Sequence, residues 1–270
     1  MRIVSLCPSN TELLYYAGLG KQLVGVDNYS DWPVEVKRLP QLGPDLSIDM
    51  DKTASLKPDM IYASLSVPGM EKNIEELEKR RLPYTIVRNP ETLSEVGTAL
   101  KEICEGIGNP DRGELLEKAY LEHLEQYRQQ SSGIQHRPAV YWEWWPKPVF
   151  TPGARNWLTE LTELAGGVNV FAGEDTASVQ TTWEEAAGRM PDTALFAWVG
   201  VDPEKVTKKA IMQRPRAELL ETMNWHIVEE ALFCRPSPRL LAGLAKAAHL
   251  LHPDRFPVPD GDEDAFLFRI

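Results

Sequence analysis

The stretch from Pro110 to Gln130, PDRGELLEKAYLEHLEQYRQQ, limits the fold of this chain more than any other. Proline sits where a helix can begin, because its missing N–H is one that the first turn leaves unbonded in any case. Leu116, Tyr120, Leu124 and Tyr127 then recur at helical spacing, and the SSG at 131–133 stops the run. On both sides of this helix the pattern is a different one.

Before it, strand-like runs (RIVSL, LVGV, DMIYAS, YTIV) alternate with helical ones. Ser9 with Glu12 three residues on reads as a capping box opening the first helix, which Gly18 and Gly20 end. Further helices are predicted near Asp51 to Leu56, from Glu71 to about Arg80 and from Glu91 to about Glu105. After it, AVYWEW, GGVNVF, TALFAWV and HIVE read as strands. They alternate with helices around Asn156 to Ala165, Trp183 to Gly188, within 203–222, and from Pro238 to about Leu251. This rhythm specifies an α/β fold with mainly parallel sheets covered by helices. The predicted organisation is an N-terminal lobe over 1–108, a bridging helix over 109–132 and a C-terminal lobe over 133–270.

With 29 Lys and Arg against 40 Asp and Glu, the chain is poorly suited to nucleic acid or an anionic membrane, both of which reward a basic face. No stretch approaches the roughly 20 apolar residues that would span a bilayer. Cys7, Cys104 and Cys234 are odd in number and widely spaced, which suits buried thiols better than a disulfide framework or a zinc site. The expected state is a monomer. MRIVSLCPSN runs straight into a strand pattern without a secretory leader. The expectation is therefore a cytoplasmic location for the chain as written, and an extracytoplasmic one if Met1 is a trimmed or misassigned start.

Catalytic signatures are missing: there is no GxSxG, P-loop, CxxC or HExxH, and the glycines of AGLGK do not fit GxGxxG. The histidines are scattered; His249 and His252, three apart near a helix end, suit a surface face better than a metal pair. No catalytic residue and no metal ligand is expected. What does accumulate is aromatic. Ligands of open α/β sheets gather beyond the carboxyl ends of the strands, where Tyr29 and Trp32 follow one strand and Trp144, Trp145 and Phe150 lie just after another. Arg235 follows a third. Flat rings can cover a large, partly apolar ligand while freezing few torsions. Trp142, Trp183 and Trp198 fit core positions better, and for Trp145 core and ligand contact are both open.

In their order along the chain, SLCPSNTELLYYAGLG, VGVDNYSDWP, LKPDMIYAS, FTPGARNWLTELTELAGGVNVF and CRPSPRL resemble the substrate-binding proteins of cobalamin and iron-siderophore ABC importers, most closely the cobalamin-binding branch. The resemblance covers nearly the whole chain. It implies two Rossmann-like lobes on a helical backbone and non-catalytic binding of cobalamin or a related corrinoid in the cleft between them, as a transported ligand rather than a cofactor. It also implies delivery to an ABC permease. Tyr29 and Phe150 match contact residues of the family, and Arg235 matches the end of a contact stretch. Asp51 and Glu184 match the acids that dock onto permease arginines. The chain departs from the family where tryptophans are replaced by Asp45, Ser64 and Ser178, where Trp144 and Trp145 are added, and where a contact aspartate becomes Ala231. Two alternatives stay open: an iron-siderophore or haem binder of the same fold, and an intracellular corrinoid-handling protein or enzyme.

Overall fold

Ile3 and Val4 have no exposed surface, and neither do Ile61, Val140, Ala194 and Leu195. Runs of this kind, apolar on both faces, are what a parallel sheet covered on both sides needs. The computed structural model describes residues 1–201 and 203–270 and divides them into two compact units. One comprises residues 1–90, 96–119 and 267–270; the other comprises 91–95 and 120–266.

In the N-terminal unit the order is β1 (Ile3–Ser5), α1 (Pro8–Tyr16), β2 (Leu23–Val26), α2 (Met50–Ser55), β3 (Met60–Ala63), α3 (Glu71–Lys79), β4 (Tyr84–Ile86) and α4 (Leu93–Gly106). The sheet runs β2-β1-β3-β4, all parallel, with Val4 opposite Ile61 and Tyr62 opposite Thr85. Val4, Leu6, Leu42, Met50, Ile61 and Leu77 form a core on one side of it. The long helix α5 (Pro110–Ser132) follows, and the division between the units falls within it, after Ala119.

The C-terminal unit contains β5 (Ala139–Glu143), β6 (Trp145–Pro146), β7 (Val149–Pro152), α6 (Trp157–Leu164), β8 (Val168–Asn169), β9 (Ser178–Thr181), α7 (Trp183–Gly188), β10 (Thr193–Phe196), α8 (Lys208–Met212), β11 (Asn224–Ile227), α9 (Glu230–Phe233) and α10 (Leu240–Leu251). Its parallel sheet is ordered β11-β10-β5-β8. Tyr141, Phe171, Trp183, Phe196, Trp198 and Ile211 pack together in its core, and Trp142, on the other face of β5, is 1% exposed. The three tryptophans read as core are therefore core.

Two local expectations are corrected, and a third feature was not expected. Helix α1 begins at Pro8 with Cys7 as its N-cap and no side-chain cap, so Ser9 and Glu12 do not form a capping box. Proline takes the first helical position and moves the start ahead of the serine. The single helix expected within 203–222 is instead a 3₁₀ turn, the five-residue α8 and a second 3₁₀ turn. Pro215 disfavours helical backbone at Arg214, and Arg216 turns left-handed at φ 53°. The third is an addition: Trp145 pairs with Phe150 and Val149 with Thr181, making a small antiparallel sheet β6-β7-β9 that the βα rhythm does not announce.

Candidate functional site

In the N-terminal unit the chain leaves β2 at Asp27, which is fully buried. One carboxylate oxygen accepts the backbone N–H of Tyr29 at 2.7 Å and of Ser30 at 3.2 Å, and the other accepts the Ser30 hydroxyl at 2.5 Å. An aspartate bonding its own backbone two residues on makes a tight local turn. Behind it, the hydroxyls of Thr11 and Ser30 lie 2.7 Å apart and Thr11 donates to Ser5. Asn28 and Gly43 exchange two hydrogen bonds of 2.9 Å, Gly43 having φ +103° and no room for a Cβ beside the Ser47 carbonyl. The Asp27 and Ser30 side chains are thus drawn inward, and the Tyr29 ring is left 46% exposed.

Trp32 is placed differently. Its ring lies 5.4 Å from Tyr16, 6.2 Å from Tyr15 and 5.9 Å from Phe268, and Tyr16 and Phe268 stack at 4.7 Å. The two rings that follow β2 therefore part: Tyr29 is exposed, and Trp32 joins a cluster that includes Phe268. Leu46, Leu65 and Val67 are 45%, 43% and 39% exposed, in loops that follow β2 and β3. The sequence reading passed over them. The signal was available in LSVPG and PDLS, apolar residues in loop segments with no core of their own to fill. Ser64 and Ser66 hydrogen-bond each other at 2.9 Å, and burial lifts the Asp45 carboxyl above its usual range.

In the C-terminal unit, β5 ends at Glu143, and the next two residues are Trp144 and Trp145. Trp144 is half-buried and held through its backbone: its N–H donates to Phe150 and its carbonyl accepts from Val199. Trp145 is 40% exposed, with its indole N–H donating to the Lys147 carbonyl at 3.0 Å. Phe150, its partner across the β6–β7 hairpin, is half-buried. The structure thus brings Trp144, Trp145 and Phe150 together in one hairpin.

Arg235, expected to meet a polar edge of a ligand, is 9% exposed and bonded to Glu230 at 3.0 Å. Glu230 lies one residue before Ala231, the position where the resemblance leads one to expect an acid. The buried Trp157 donates its indole N–H to the Phe233 carbonyl at 2.7 Å and so ties α9 to α6.

The two candidate docking acids lie one in each unit. Asp51, in the first turn of α2, is 88% exposed and 2.5 Å from Arg80. Glu184, in the first turn of α7, is exposed. His249 and His252 hydrogen-bond the carbonyls of Phe256 and Gly166. Among the described residues no group of three or more His, Cys, Asp or Glu is arranged to hold a metal ion, and no helix is long and apolar enough to cross a membrane.

The family model described as Periplasmic binding protein matches residues 3–224. A vitamin B12-binding protein of Vibrio cholerae is 30% identical over 246 residues, 89% of this chain and 85% of its own length. An uncharacterized ABC transporter substrate-binding lipoprotein of Bacillus subtilis is 29% identical over 266 residues, covering 94% of this chain and 81% of that protein. The crystal structure of the periplasmic vitamin B12 binding protein of Vibrio cholerae matches with a TM-score of 0.72 at 25% identity, covering 93% of this chain and 96% of the other. A periplasmic heme binding protein from Pseudomonas aeruginosa shares the fold with a TM-score of 0.82 at 21% identity, over 95% and 94% of the two chains.

Proposed function

We propose that this chain, which belongs to the periplasmic binding protein family and is a non-catalytic substrate-binding protein of the ABC-importer kind, binds cobalamin or a closely related corrinoid as its transported ligand. The observation that carries the reading is the 30% identity, over 89% of the chain, with a protein that binds vitamin B12. The exposed rings support it. Tyr29 in one unit and Trp145 in the other stay uncovered at loops following strand ends, although each loop is rigidly tied down. A ring kept in water on a fixed backbone is ready to cover a flat apolar guest at little entropic cost.

In this reading Tyr29, Trp145 and Phe150 are ligand contacts, and Leu46, Leu65 and Val67 add exposed aliphatic surface in the N-terminal unit. Trp144 fixes the hairpin through its backbone. Arg235, already neutralised by Glu230, orients a polar edge rather than pairing with a full negative charge. Asp51 and Glu184 face the arginines of a membrane permease during delivery.

The test is a titration of purified protein with hydroxocobalamin, followed by its visible spectrum and by calorimetry, with haemin as comparator. Saturable binding of hydroxocobalamin with weak or no response to haemin is expected. Tight haemin binding with silence toward hydroxocobalamin at micromolar protein would overturn the reading.

A further inference from the structure

The carboxylate of Glu143 is 1% exposed and accepts four hydrogen bonds. Arg214 approaches it with two prongs, Nη1 to Oε2 at 2.8 Å and Nη2 to Oε1 at 2.9 Å; the Tyr141 hydroxyl donates to Oε2 and the Trp198 indole N–H to Oε1, both at 2.9 Å. The guanidinium lies 4.7 Å from the ring centroids of both Trp183 and Phe196, and its Nε donates to the Ile211 carbonyl at 2.7 Å. A buried acid and base with their polar atoms matched this closely are fixed in place, since any displacement would strand a charge away from water.

The position of this clamp gives it a use. Glu143 is the last residue of β5, and its own carbonyl accepts the N–H of Ala197. The next residue, Trp144, is tied to Phe150 and Val199, and the one after that is Trp145. Strand β6 is only two residues long. β9 holds β7 along its length, whereas β6 is tied only by its two residues, so the direction in which Trp145 points is set at the root of the hairpin, where the chain leaves β5. Arg214 reaches that root from 71 residues away, on the irregular segment between α8 and β11.

We infer that the buried pair of Glu143 and Arg214 is a positioning element for ligand binding: it orients the β6–β7 hairpin so that Trp145 and Phe150 present their rings to the ligand. The inference rests on the corrinoid reading for the identity of that ligand, but not for the orientation of Trp145.

The experiment follows the indole N–H resonance of Trp145 in ¹⁵N-labelled, ligand-free protein, assigned with Trp145→Phe, together with hydroxocobalamin affinity. Glu143→Gln/Arg214→Met removes both charges while keeping the volume, and is expected to fold cooperatively. Its Trp145 resonance should shift or broaden, and hydroxocobalamin affinity should fall at least tenfold. Arg214→Lys keeps the charge and loses the fork, so a smaller shift and a two- to fivefold loss are expected. A folded variant of either kind with the wild-type Trp145 resonance would overturn the inference. So would wild-type affinity in the double variant. If the wild-type protein ignores hydroxocobalamin, the functional reading fails by itself, and the resonance still decides the positioning role.

Discussion

The two units solve the same problem with different chemistry. Each places a ring in water just past the end of a parallel strand, and each roots the loop on a buried carboxylate, Asp27 in one and Glu143 in the other. Asp27 bonds groups two and three residues ahead, so the turn that presents Tyr29 is largely specified by its own short sequence. Glu143 relies on Arg214, Trp198 and Tyr141, two of them distant in sequence, so Trp145 is presented only after the C-terminal unit has assembled. A local turn depends on a few hydrogen bonds. A buried ion pair depends on both charges being present at once.

That contrast makes ordered predictions. Arg214→Ala, which strands the Glu143 carboxylate in a packed interior, should cost about 3–5 kcal/mol of stability, measured by urea unfolding. Asp27→Ala leaves neutral donors short of an acceptor and should cost about 1–3 kcal/mol by the same measurement. Equal losses in the two variants would erase the distinction between the units. Tyr29→Ala and Trp145→Ala, at exposed rings, should each weaken hydroxocobalamin binding by about 1–3 kcal/mol in calorimetry while leaving the unfolding midpoint nearly unchanged. Trp32→Ala sharpens the comparison: its ring packs against Tyr15, Tyr16 and Phe268, so stability should fall more than affinity.

The smallest effect concerns pH. His123 stacks on Phe266 at 5.1 Å, and burial holds its ionisation below the usual histidine range. The folded state then binds fewer protons than the unfolded one. Its contribution to stability is present above the ordinary histidine pKa and is lost as pH falls below it. His123→Phe should flatten the pH dependence of the urea midpoint between pH 7.5 and 5.5. An unchanged slope would mean that other groups, such as the partly buried His226, carry it.

What could be read from the sequence follows the same divide between local and distant. The strands of the two parallel sheets, most helices and α5 were legible because hydrophobic spacing is a local signal, and Asn156 and Asp49 cap their helices as their residue types suggest. The exposure of Tyr29 could be argued from DNYSDWP, where the polar residues can satisfy one another. The fate of Trp32 could not, because Phe268 lies at the far end of the chain. The pairing of Arg235 with Glu230 depends on the short turn of α9, too brief to show a helical period, that brings the two together. The clamp on Glu143 was out of reach: nothing in VYWEWW names a partner 71 residues on. The β6–β7 hairpin escaped because a two-residue strand has no periodicity to detect.

Residues 267–270 belong to the N-terminal unit, where Phe268 lies against Tyr16 and Trp32. Protein synthesis runs in one direction, so well over two hundred residues are made between those rings and the residue that covers them. During that interval the nascent N-terminal half carries an uncapped aromatic surface, two residues along the chain from Ser30 and three from Tyr29. Chaperone dependence during translation, more than equilibrium stability, is where the cost of that late arrival would be felt.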